Sequence, residues 1–406
     1  MGKNKKPKAP KVRFHAVMAF QTYGKYFLLL ICLQVLFTSC SKEEKVPPRY
    51  YPRDSHDAYR NNLVEANLNE TALGKDWLTA ANQIFEEQVT LQLPYQEAFH
   101  MDPKLPEALG YRFSAKRGHK IVISLDQIEG DSAILFIDAF RIVNDSLGDY
   151  RHVASADSSW QLAFEPRRDA EYILRFQPEL LRGGSYKIDI QHGPTLQFPV
   201  AGKNKRAIWS LFGDPRDGGR RKHHGVDIFA KRGTPIVAPT KGYVRFVGTR
   251  GIGGKVVWIR DNKRNQSLYF AHLDSLIAEQ GTYVNPGDTI GTVGNTGNAR
   301  YTPPHLHFGI YSNGPIDPYA HIVEISDQPT PIGDHLALLG QPVHASKSSF
   351  LRNLPKHRSQ VIDTIQTDTA LEVEAVIANY LRVKTPEGTK GYLQRRQLQF
   401  SSGPSK

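Results

Sequence analysis

Two segments of this chain carry side chains suited to metal chemistry. The first is His223-His224-Gly225-Val226-Asp227 and the second is Pro304-His305-Leu306-His307-Phe308. On an extended segment, residues four apart point to the same side, so His223 and Asp227 can converge on one ion. Residues two apart on a strand also share a side. His305 and His307 therefore face one way, and Leu306 and Phe308 face the core. A further histidine, His272, ends the apolar run Tyr269-Phe270-Ala271. Catalytic zinc commonly takes three protein ligands from histidine and carboxylate and keeps a fourth position for water. One carboxylate and two histidines leave a site charge of about +1, suited to a developing oxyanion. Spare histidines can move protons or hydrogen-bond a tetrahedral intermediate. Spacing alone does not say which of His305 and His307 binds metal, and His224 reads as a bystander. Both cysteines, Cys32 and Cys40, lie in the first forty residues. The folded part thus has no possible disulfide or thiolate ligand, and any metal site must be built from His, Asp or Glu.

The chain has 406 residues, which suits two to four domains, and its formal charge is +12. The first forty residues hold Lys3, Lys5, Lys6, Lys8, Lys11, Arg13 and Lys25 and no acid. The remainder is mildly basic, which favours an anionic setting such as cell-wall polymer. No basic stripe with interleaved aromatics appears, so nucleic acid is not the expected partner.

The basic start is followed by the apolar run Tyr26 to Phe37. It is short for a membrane span, which needs about twenty residues, and fits the core of a secretory signal. Phe37-Thr38-Ser39-Cys40 then resembles a bacterial lipobox, although Phe37 stands where leucine is usual. On that reading residues 1–40 are a lipoprotein signal peptide and Cys40 is the lipidated first residue of the mature chain. Ser41-Lys42-Glu43-Glu44 resembles the export signal of Bacteroidota surface lipoproteins, and reads equally as a charged tether.

The elements that must position the histidines come next. Residues 41–90 read as a linker and short helices. In the second helix Leu73, Trp77, Leu78, Ala81, Ile84 and Phe85 recur at helical spacing, with Thr71 as the cap. Residues 91–200 change to short strands separated by Gly, Asp, Asn and Pro, the pattern of a β-sandwich. This spacer or binding unit resembles the pre-peptidase jelly-roll modules of secreted bacterial proteases. Residues 203–325 are again strand-rich. Gly251-Ile252-Gly253-Gly254 lacks the strand-to-helix context of a phosphate loop and reads as a hairpin turn before Val256-Val257-Trp258-Ile259. Residues 335–402 hold several close-set strands, which suggests a small barrel. The run Leu381 to Leu393 resembles the closing hairpin of bacterial SH3-like domains, which often bind cell-wall peptide. The expected fold is mainly β: short N-terminal helices, a sandwich, an antiparallel metallopeptidase domain and a small SH3-like barrel.

Residues 206–320 resemble the lysostaphin/LytM-type zinc metallopeptidases that cut peptidoglycan cross-links. The likeness rests on Phe212-Gly213, His223-x-Gly225-x-Asp227, Gly233-Thr234-Pro235-Ile236-Val237-Ala238-Pro239, Ala271-His272-Leu273, Val284-x-Pro286-Gly287-Asp288-x-Ile290-Gly291, Gly294-Asn295-Thr296-Gly297, His305-Leu306-His307-Phe308 and Asp317-Pro318. The resemblance implies one zinc ion held by His223, Asp227 and His307. It makes His272 and His305 the catalytic pair that activates water and stabilises the transition state. It also implies peptidoglycan as substrate at the cell envelope. With the lipid on Cys40, it points to anchorage to a membrane, expected to be the outer membrane of a Gram-negative bacterium, on its periplasmic or surface side. Two features depart from the family pattern. Gly309 stands where many members carry Glu, and the basic stretch Arg216 to Lys222 precedes the first ligand. Some relatives have lost ligands and activate amidases instead, but all five positions are filled here. A third reading makes wall binding by the sandwich and the SH3-like unit the main task.

Overall fold

The structure is a computed structural model, and it describes residues 53–130, 132–156 and 158–400. Cys40, the signal segment and the first part of the linker lie outside the described residues. The architecture is mainly β, as the alternating patterns require.

The short helices come first. Asp54 caps helix Ser55–Glu65, its side chain accepting from the Asp57 backbone N–H at 2.7 Å. Thr71 caps helix Ala72–Gln83, accepting from the Gly74 N–H at 3.1 Å. The expected stripe turns inward at Trp77, Ala81 and Ile84, while Leu73 stays exposed. Trp77 packs with Leu63 and Phe136, and its indole N–H donates to the Pro178 carbonyl at 2.8 Å.

Two sheets follow, packed over an aromatic core that includes Phe99, Tyr111, Phe113, Tyr172, Phe176 and Tyr186. One contains five strands, with Leu109–Ala115, Ala170–Pro178 and Leu135–Asn144 at its centre. The other contains Gln161–Phe164, His119–Glu129, Gly184–Pro194 and Tyr95–Met101, and it does not stop there. Strand Tyr95–Met101 pairs with Ala370–Ile377 of the C-terminal part, setting Ala98 opposite Val376 and Phe99 opposite Ala375. The C-terminal strands thus extend the sandwich sheet, and among the described residues their pairing closes no barrel. A buried ion pair pins the junction. Arg382 donates to both oxygens of Glu97, at 3.0 and 3.1 Å, and Tyr95 and Tyr111 also donate to that carboxylate.

Between these parts lies the unit with the histidine motifs. Its main sheet runs Ile208–Ser210, Val226–Phe229, His305–Tyr311, Gln266–Ala271, Lys255–Asp261, Gly242–Thr249 and Tyr283–Val284. Strict alternation explains the two faces. Val226, Ile228, Leu306, Phe308, Ile310, Leu268 and Phe270 point into the core and are fully buried. The opposite face carries Asp227, Phe229, His305, His307 and Tyr269.

Two tests follow. Removing one partner of a buried ion pair leaves the other charge uncompensated, at a cost of about 3–5 kcal/mol. Arg382→Met should lower unfolding stability by that order in a denaturant titration, and adding Glu97→Gln should restore much of it. Second, His56 and His321 are buried, and burial lowers each to about 4. Their folded pKa lies below the unfolded value of about 6.5, so the unfolded chain binds more protons between the two. Their contribution is present above about pH 6.5 and is lost as pH falls towards 4. Thermal melts should show Tm decreasing over that window.

Candidate metal centre and active site

The central strand pair sets the site. In the antiparallel register, Asp227 lies opposite His307 and Phe229 opposite His305. Ala271, the last residue of the next strand, lies opposite His307 on its other side. His223 reaches the same point from the segment before Val226–Phe229. Its Nε2 stands 3.0 Å from Asp227 Oδ1 and 2.9 Å from His307 Nδ1. His307 Nδ1 is 3.0 Å from Asp227 Oδ1. Tetrahedral zinc with bonds near 2.0–2.1 Å separates its ligand atoms by about 3.3 Å. The three atoms therefore converge at the separation a small divalent ion imposes.

The partners of the other ring atoms decide what these atoms offer. His223 Nδ1 stands 2.8 Å from the Leu211 carbonyl. A carbonyl only accepts, so Nδ1 carries the proton and Nε2 presents a lone pair to the trio. Asp227 is held from behind by Arg216, whose Nη2 lies 3.0 Å from Oδ2. Arg216 also donates to the Ser210 hydroxyl. Two imidazole nitrogens and one carboxylate oxygen face each other, with His223 Nδ1 and Asp227 Oδ2 already bonded elsewhere, a donor set that fits zinc. Gly225 explains the close approach. A Cβ there would lie 2.4 Å from the Phe308 carbonyl oxygen and 2.8 Å from His307 Cε1.

The two remaining histidines stand beside the trio. The rings of His272 and His305 meet edge-on, with centroids 5.1 Å apart, and His272 lies 6.0 Å from His307. His272 Nδ1 donates to the Thr296 carbonyl at 2.9 Å, and His305 Nδ1 to that of Pro303 at 2.9 Å. The neutral form of each ring therefore carries its proton on Nδ1 and its lone pair on Nε2. Burial, then the nearby His305 and His307, lowers His272 to about 4, so it is neutral near pH 7.

His272 occupies an unusual backbone position. Its φ is 67°, a left-handed conformation for a residue with a Cβ. Two glycine loops hold it there. Its N–H donates to the Gly253 carbonyl at 2.9 Å, and the Gly251–Gly254 turn packs on Gly297. A Cβ on Gly254 would lie 2.4 Å from the Gly297 nitrogen. The loop read as a hairpin turn is one, and it also fixes a histidine.

Aromatic rings bound the site. Phe229 stacks on His305, with centroids 4.9 Å apart, and the exposed Trp209 stacks on Phe229 at 4.6 Å. Tyr269 meets His307 edge-on, and Trp258 packs against both Tyr269 and Tyr311. A Cβ on Gly309 would lie 2.9 Å from Tyr311 Cε2, so the tyrosine ring covers the space a side chain at 309 would enter. His224 is exposed and turned towards Phe212.

The structure thus brings together His223, Asp227, His307, His272 and His305, and leaves His224 aside. Sequence reading missed the role of Arg216, noted only as one of a basic stretch, and that of Phe229. Phe229 sits two residues after Asp227 and so shares its face, a signal open to inspection. The carbonyls of Leu211, Thr296 and Pro303 have no signal in residue type.

Residues 221–318 match the model of peptidase family M23. The chain carries a peptidase family M23 domain. The L-Ala--D-Glu endopeptidase of Bacillus subtilis (strain 168) is 40% identical over 138 residues, 31% of this chain and 42% of that protein. The DD-carboxypeptidase/endopeptidase Mpg of Neisseria meningitidis serogroup B is 42% identical over 99 residues, 24% of this chain and 22% of that protein. The chain spans less than half the length of these curated relatives. Among solved structures, the catalytic domain of lysostaphin from Staphylococcus simulans is 32% identical. The similarity covers 27% of this chain and 85% of that one, with a TM-score of 0.25. The M23 match contains both histidine motifs and begins after Arg216, the residue that holds Asp227.

Groups behind metal ligands typically contribute ten- to a hundredfold in affinity. Arg216→Ala should weaken metal binding by roughly that factor in a chelator competition. Phe229→Ala should lower turnover while leaving metal affinity unchanged, because it frees His305 and touches no member of the trio.

Proposed function

We propose that this chain is a zinc-dependent endopeptidase that hydrolyses peptide bonds in peptidoglycan stem peptides or cross-links. The observation that carries this reading is the convergence of His223, Asp227 and His307 at about 3 Å, with two further histidines presenting free Nε2 atoms beside them. The M23 match and the names of the relatives support the same class of reaction.

In this reading His223 Nε2, Asp227 Oδ1 and His307 Nδ1 would hold one zinc ion. Bound there, zinc supplies a water that is nucleophilic near neutral pH and polarises a substrate carbonyl. The protein's own part is proton transfer and orientation. His272, neutral at pH 7, accepts the proton of the attacking water at Nε2 and can return it to the leaving nitrogen. His305, held flat between Phe229 and His272, donates from Nε2 to the oxyanion once protonated. The Nδ1 proton of His272 is tied to the Thr296 carbonyl, which keeps that ring in the tautomer that accepts at Nε2, and the Pro303 carbonyl fixes the orientation of His305.

The rest of the chain reads as delivery. Residues 1–40 are proposed as a lipoprotein signal with lipidation at Cys40, which would hold the enzyme at a membrane of the cell envelope. Residues 91–200 would act as a spacer or binding unit, residues 203–325 as the catalytic domain, and residues 335–402 as an SH3-like unit that binds wall peptide.

The test is digestion of purified peptidoglycan by the zinc-loaded protein, read by mass spectrometry of the released muropeptides. New cleavage products are expected from the wild type. His305→Ala and His272→Ala should each lose at least a hundredfold in rate, the scale typical of a general acid–base, while still binding one zinc per chain. Unchanged peptidoglycan with the wild type would sink the proposal, as would wild-type rates in both variants.

A further inference from the structure

A second concave site lies away from the M23 histidines, at the seam between sandwich and M23 domain. It is a cavity of about 680 Å³, within the size range of small-molecule sites. The sandwich contributes Arg117, Lys120 and Arg167, from the start of strand His119–Glu129 and from just after Gln161–Phe164. The unit with the histidine motifs contributes Lys263 and Arg264, and His321 follows just after the M23 match. Strands Gln266–Ala271 and His305–Tyr311 reach this cavity at one end, through Gln266 and Ser312, and the metal trio at the other. At about 3.3 Å per residue the two sites are separated by roughly 16 Å of strand.

The charge in the cavity is unbalanced. Its one acid, Glu165, is already paired with Lys263 and Arg264, each at 2.8 Å. Arg264 is further tied to Asp261 at 3.0 Å. Among the described residues, no carboxylate forms an ion pair with Arg117, Lys120 or Arg167. Asp169 is nearby, but it accepts from the backbone N–H of Arg117. Three cations from two segments thus face one concavity with no ion-pair partner among the described residues.

An independent observation points the same way. His321 lines the cavity and is only 3% exposed. Its Nδ1 meets the Thr195 hydroxyl at 3.0 Å, while its Nε2 has no partner. A buried polar atom left unpaired is rare in native folds and calls for a missing partner. Burial, with Arg117 and Arg264 near by, keeps the ring neutral, lowered to about 4. If the Thr195 hydroxyl donates to Nδ1, the proton sits on Nε2 and the ring offers a donor there.

We propose that this seam cavity is an oxyanion-binding site, taking a carboxylate- or phosphate-bearing ligand held by Arg117, Lys120 and Arg167 and by the unpaired Nε2 of His321. The site is separate from the metal trio and does not rest on the peptidase reading. Its ligand would touch both the sandwich and the M23 domain and so would hold them together.

The test is calorimetric titration of the zinc-loaded full chain in low-chloride buffer, with inorganic phosphate in one arm and succinate in the other. Saturable one-to-one binding is expected in at least one arm, and the tighter arm identifies the chemistry of the source. Arg117→Gln with Arg167→Gln should weaken it at least tenfold, and Arg117→Lys with Arg167→Lys should retain most of it. Lys120→Gln, at an exposed position, gives the same direction should the double variant fail to fold. His223→Ala should leave seam binding unchanged. The proposal is overturned if neither anion binds saturably below about 10 mM (roughly 2.7 kcal/mol of binding free energy). It is also overturned if the glutamine variants bind as the wild type does, or if His223→Ala abolishes binding.

Discussion

Three lone-pair-bearing atoms placed about 3 Å apart repel one another unless a cation lies between them. The M23 domain is built to hold them there. The register of two antiparallel strands puts Asp227 opposite His307, and the absence of a side chain at Gly225 lets the approach to His223 pass under the His307 ring. The core on the other side of the sheet, with Leu306, Phe308, Val226 and Ile228 fully buried, keeps those strands from slipping. A slip of one residue would turn both histidines into the core. Packing energy on one face is thus what forces like groups together on the other.

Much of this arrangement is legible in residue order because it follows from periodicity. Alternation in His305-Leu306-His307-Phe308 states which side chains share a face, and the His223 to Asp227 spacing brings two ligands to one point. The cap at Thr71 and the inward turn of Trp77 follow from helical spacing in the same way. What the order of residues does not carry is the part made by backbone atoms and by distant pairings. The carbonyls that set the tautomers of His223, His272 and His305 belong to Leu211, Thr296 and Pro303, and any residue type supplies a carbonyl. Arg216 lies in a run of basic residues with nothing to mark it until the chain folds back on Asp227. His321 reads as one histidine among many until burial removes water from its Nε2.

The C-terminal strands show the same limit on a larger scale. Their hydrophobic alternation gives their number and length, and it suggests a unit closed on itself. The pairing of Ala370–Ile377 with Tyr95–Met101 is a contact between segments far apart in the chain, and so is the meeting of Arg382 with Glu97. Both partners of that ion pair are almost fully buried, so neither half is complete in water alone. Each half continues the sheet of the other, and Glu97, which also accepts from Tyr95 and Tyr111, meets Arg382, which also faces Glu374.

The backbone at His272 has a consequence for how such a site persists. Glycine or asparagine would adopt that left-handed conformation with less strain, so the local fold would gain from losing the histidine. Substitution to glycine or asparagine therefore eases the backbone while removing the imidazole. The imidazole stays where it is only as long as what it does outweighs the conformation it must hold, which makes residue 272 a readout, within one protein lineage, of whether the centre is still in use.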